Sequence, residues 1–181
     1  GNGELMVALW FDKDHGYFER LRDPQAEARF DRSFVAPWLA MAEEISHARY
    51  YAYQFRKHET YPPLWMVEMM GAIDKYMLWR SVFTGKEAQG KTLDHDQRWA
   101  RAEILTADPA TCPELAAVAK ERSPSHYHGH SRARQVIDQF EDFVTKGRID
   151  DAKKLIRFLR QSSPDTVRRI LLNFGIESQD E

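Results

Sequence analysis

Large apolar residues concentrate in two segments, Phe34–His58 and Pro62–Phe83, and in both they recur at the three- and four-residue steps of an α-helix. In the second segment Trp65, Met69, Ala72, Tyr76, Trp79 and Phe83 form one stripe, and Met66, Met70, Ile73 and Met77 form another beside it. Only a narrow polar strip holding Glu68, Gly71 and Lys75 is left, and a helix apolar around most of its circumference is expected at the centre of its domain. In the first segment Phe34, Trp38, Met41, Ile45, Ala48, Ala52 and Phe55 keep the same spacing. A short link at Glu59–Tyr61, followed by Pro62-Pro63 at the start of the next helix, predicts that the two pack as an aromatic- and Met-rich antiparallel hairpin over 34–83.

The remaining pattern is also helical. Glu4–Phe11 is a short apolar run read as helix because no second strand is available to pair with it, and modest helices are expected over Asp94–Leu105 and Pro113–Glu121. Ser123–Ser131 carries a proline, a glycine and three histidines and reads as an irregular loop. Beyond it, Val136, Ile137, Phe140, Phe143 and Val144 mark one helix, and Ala152, Leu155, Ile156 and Leu159 mark the next. Ser163-Pro164 then opens a third helix that Gly175 closes. The expectation is an all-α helical bundle, a single domain over 1–181 made of the central hairpin and a C-terminal three-helix unit at 131–175. An acidic tail, Glu177–Glu181, follows.

Composition narrows the classes. The 181 residues are 43% hydrophobic and 30% charged, ordinary for a globular chain. No run approaches the length of a membrane span. One cysteine, Cys112, excludes an internal disulfide and fits a reducing, cytoplasmic setting. The opening Gly-Asn-Gly without a methionine is read as the start of a fragment of a longer protein or assembly. A net charge of −2 excludes a uniformly basic nucleic-acid binder. Residues 131–175 nevertheless carry ten Lys or Arg against six Asp or Glu. The row Lys153, Arg157 and Arg160 on that stretch is the expected partner-binding face, for an acidic protein surface or for nucleic-acid phosphates.

Three constellations bear on chemistry. Glu44 and His47 have the Glu-x-x-His spacing of carboxylate-bridged metal bundles, but no second copy exists and Glu68 is the one obvious residue to complete a set. Glu43, His47, Tyr50 and Gln54 lie on one helical stripe, a hydrogen-bonding surface if it faces a groove. His126-x-His128-x-His130 brings three imidazoles to one side only in an extended backbone, where zinc would accept them together with a water.

Arg122 and His128 fit the Arg-x(4–6)-His pattern of the HEPN ribonucleases, which this stretch resembles. Tyr61-Pro-Pro-Leu-Trp-Met-Val-Glu68 is similar to the Pro-x-Trp…Glu stretch of their Abi-like branch. The resemblance implies an all-helical, metal-independent ribonuclease of a prokaryotic defence or toxin system, with His128 as general acid or base and Arg122 on the phosphate. Ser123-Pro124 departs from that pattern by interrupting the helix between them. With no complete catalytic set in the sequence, the first expectation is a non-enzymatic protein-interaction or scaffold module with no cofactor and no assigned metal ligand. The ribonuclease and a metal-binding helical bundle are the alternatives.

Overall fold

A computed structural model of the protein describes residues 32–87, 121 and 123–176. The expected helices at 4–11 and 94–105, Cys112, Arg122 and the acidic tail lie outside the described residues, as does the Pro113–Glu121 helix except for its last residue. The described residues are all-α. Five helices follow in order: α1 Arg32–His58, α2 Leu64–Glu87, α3 Pro124–Thr145, α4 Ile149–Gln161 and α5 Pro164–Asn173. Among these residues no helix is long and apolar enough to cross a membrane.

Helix α2 is the centre of the packing. Between Trp65 and Tyr76 every residue is buried except Glu68 and Asp74, which are half-buried. It is flanked by α1 and α3, while α4 packs on α3 and α1 and carries α5. One buried cluster runs from Tyr50 and Trp65 through Val136 and Phe140 to Leu159 and Leu171, so the hairpin region and the C-terminal helices share a core. Helices α1 and α2 are joined by residues 59–63. Lys75 donates to Glu43 at 2.7 Å and Ser46 donates to Asp74 at 2.7 Å, pairs that descend α1 as they ascend α2.

The face that α1 buries is its polar stripe. Tyr50 and Gln54 are 5% and 0% exposed, while Ile45, on the apolar stripe, is 41% exposed. The opposing surfaces explain this: α2 turns its polar strip toward α1, and the end of α4 offers carbonyls, one of which, that of Ser162, accepts from Gln54 Nε2 at 2.8 Å. Buried polar side chains need such partners, and an apolar stripe there would have left these groups unsatisfied.

The histidine-rich segment is helical rather than an extended loop. Pro124 occupies the first turn of α3, where its missing N–H costs nothing, and Tyr127 N–H donates to Ser123 O at 3.0 Å to close that turn. Alternating histidines therefore diverge. His126 and His130, four residues apart, share one face, whereas His128 leaves it and meets the Tyr127 ring edge-on at 5.5 Å.

Two glycines set how closely the helices approach. A Cβ on Gly129 of α3 would stand 2.5 Å from Glu68 Cβ and 2.6 Å from the Trp65 carbonyl oxygen of α2. A Cβ on Gly71 of α2 would stand 2.5 Å from His47 Nε2 of α1. Each absent side chain makes room for the other helix's polar groups. The Arg132 guanidinium, 4.1 Å from the Trp65 ring centroid, adds a cation–π contact across the α2–α3 seam.

Candidate metal centre

The three helices converge on five ligand-type side chains: Glu43 and His47 from α1, Glu68 from α2, and His126 and His130 from α3. Each helix contributes through its own spacing. Residues four apart project from one face, so α1 offers a Glu/His pair and α3 a His/His pair toward the single carboxylate of α2. Within the set Glu68, His126 and His130, and within the set Glu43, His47 and Glu68, one ligand atom from each residue lies within 4.8 Å of the others.

Three of the separations fall in the range found between ligands of one ion. His126 Nδ1 stands 3.0 Å from Glu68 Oε2, His47 Nε2 stands 3.7 Å from the same oxygen, and His130 Nε2 stands 3.4 Å from Glu43 Oε1. Ligands held by an ion at about 2.1 Å stand roughly 3.0–4.2 Å from one another in tetrahedral or octahedral geometry. Glu43 Oε1, His47 Nε2 and His130 Nε2 are buried and make no hydrogen bond. The 3.4 Å approach of His130 to Glu43 is an ion-pair distance without hydrogen-bond alignment. Buried polar atoms without partners are costly, and cations held among these groups would satisfy them.

Groups around the five hold them in place. Glu43 divides its oxygens, Oε2 accepting from Lys75 at 2.7 Å and Oε1 facing His130. His47 turns Nδ1 toward Glu44 at 3.6 Å, the outer position from which a carboxylate orients a ligating imidazole. The His126 and His130 rings lie 4.1 Å apart, centroid to centroid. His126 is 47% exposed while Glu43, His47, Glu68 and His130 are 8–16% exposed, so the site opens to solvent past His126.

The metal-free electrostatics are uneven. Burial would raise the Glu43 carboxyl, but the His130 imidazole and the Lys75 ammonium outweigh it and hold the group down at about 2. Glu68 is likewise lowered, burial being outweighed by the His126 hydrogen bond and the two imidazoles beside it. The hydrogen bond to Glu68 raises His126, and burial lowers His130.

Proton-detected NMR of the metal-free protein is therefore expected to show His126 titrating above 6.5 and His130 below it. The raised His126 contributes stability that is complete below the unfolded value of 6.5 and is lost as pH rises through its folded value. The lowered His130 and Glu43 act with the opposite sign: their contributions are present above 6.5 and 4.5, and are lost as pH falls through their lowered values. A common transition for the two imidazoles would contradict this arrangement.

The residues singled out in the sequence fall in different places. Glu43 and His47 enter the centre, whereas Tyr50 and Gln54 continue the same stripe into the core; burial raises the Tyr50 phenol well above its ordinary value. His126 and His130 enter the centre and His128 does not. Lys153 and Arg157 are exposed and border a groove of about 500 Å³ between α2, α3 and α4, while Arg160, on its rim, is held by Asp74 of α2. Lys75 and the two glycines were not singled out. The signal for Lys75 and Gly71 is the composition of the polar strip on α2, where they accompany Glu68 on an otherwise apolar helix.

No protein-family model matches the chain, and no curated protein or solved structure shows significant similarity to it.

Proposed function

We propose that the chain is a metal-binding helical bundle that takes a divalent first-row transition metal through Glu43, His47, Glu68, His126 and His130. The observation that carries this reading is the convergence of five ligand-type side chains from three helices, three of which bring a buried donor atom that makes no hydrogen bond. Imidazole and carboxylate without thiolate suits zinc, manganese, iron, cobalt or nickel rather than copper(I), and the exposure of His126 leaves a way in for a water or an exogenous ligand. The α1 stripe supports this reading, because its Glu43 and His47 are turned inward onto ligand-type residues of the neighbouring helices.

Protein purified without a histidine tag is expected to carry a stoichiometric transition metal, measured by plasma mass spectrometry. Metal-free protein is expected to melt at a higher temperature when metal is restored, a gain of about 2.7 kcal/mol at a hundred times the Kd. Protein that is metal-free as isolated, with a melting temperature indifferent to zinc, manganese, iron and cobalt, would overturn the reading.

A further inference from the structure

The five donors divide into two groups of three that share one member. Glu68, His126 and His130 form one group, and Glu43, His47 and Glu68 form the other. The atom the groups share is Glu68 Oε2, with His126 Nδ1 of the first group at 3.0 Å and His47 Nε2 of the second at 3.7 Å. The groups meet again where His130 of the first faces Glu43 of the second at 3.4 Å. A central carboxylate flanked by two triads is the arrangement in which a carboxylate bridges two ions, the bridging pair in such sites standing about 3.5–4 Å apart.

Charge extends the argument. Two divalent ions bring four positive charges against the two carboxylates, and the Lys75 ammonium at 2.7 Å from Glu43 adds one more. With the outer Glu44 carboxylate beside His47 counted as well, a surplus of two positive charges remains in a site whose other donors are neutral imidazoles, and it calls for an anionic exogenous ligand. Three protein donors per ion also leave coordination positions open, and they are reached from solvent past His126.

Resting on the metal-binding reading, we propose that the centre is dinuclear, bridged by Glu68, and that the ion pair takes an oxyanion as its exogenous ligand. One ion sits with His126 and His130, the other with Glu43 and His47. The bound oxyanion spans both ions and compensates their charge.

The metal-free 181-residue chain titrated with manganese(II) and examined by native mass spectrometry and electron paramagnetic resonance is expected to take two ions and to show the signal of an exchange-coupled pair. His47→Ala and His130→Ala are each expected to take one ion, with the coupled signal lost. Inorganic phosphate is expected to bind the loaded protein and not the metal-free protein, followed by calorimetry. A single ion per wild-type chain overturns the dinuclear centre and leaves the metal-binding reading standing, whereas no ion overturns both. Two coupled ions with no phosphate binding overturn the oxyanion assignment alone.

Discussion

Gly129→Ala is expected to destabilise the protein by about 2–3 kcal/mol, although alanine is the better helix former by about 1 kcal/mol. The added methyl would stand 2.6 Å from the Trp65 carbonyl oxygen and 2.9 Å from the Met69 nitrogen, both backbone atoms of the helix at the centre of the core. Backbone held in a buried helix cannot move aside locally, so α2 and α3 must separate along the seam that also carries Ala133, Val136 and Phe140. Gly71→Ala provides the contrast. Its methyl would meet His47 Nε2 and Cδ2, the far end of a side chain, which can rotate away. Stability should change little there while metal affinity falls, because the displaced imidazole is a proposed ligand. Chemical denaturation of both variants checks the order. A Gly129→Ala protein as stable as the wild type would show that the two helices are not held at this distance.

The same two glycines mark how far the sequence could be read. Apart from the first two turns of α3, the five described helices follow from apolar spacing, and the end of α5 from Gly175, whose φ of 68° suits glycine. The site did not follow, for a physical reason: its donors lie on three segments separated by twenty to eighty residues, and helical periodicity reports only which residues share a face. On α1 that left two stripes to choose between. The apolar one is the natural choice for the core, yet the polar one is buried, because Lys75 of α2 and the Ser162 carbonyl hydrogen-bond Glu43 and Gln54, and Glu68 and His130 face His47 and Glu43. In α3 the local signals misled more directly. Pro124 and Gly129 read as loop residues, although proline is favoured in a first helical turn and glycine there permits close contact. With that segment recognised as helix, His126 and His130 repeat the four-residue step of Glu43 and His47, and the shared geometry becomes visible.

Glu68→Gln is the substitution with the largest expected effect on metal binding, a loss of at least about a hundredfold, more than 2.7 kcal/mol. The amide keeps the volume of the carboxylate but removes the one negative charge that both donor groups share. Metal-free stability should move far less, since the half-buried carboxylate gains from His126 and His47 but is also opposed by Glu43. The metal-dependent rise in melting temperature should therefore vanish while the metal-free melting temperature stays nearly fixed, a split that a merely structural glutamate could not produce. In the metal-free variant the hydrogen bond that raises His126 is also weakened, so its titration should return toward 6.5. Glu44→Gln offers the graded comparison: that carboxylate is 43% exposed and only orients His47 from 3.6 Å, so about tenfold is the expected loss. Equal affinity in the wild type and Glu68→Gln, measured by competition with a chelator, would remove Glu68 from the centre.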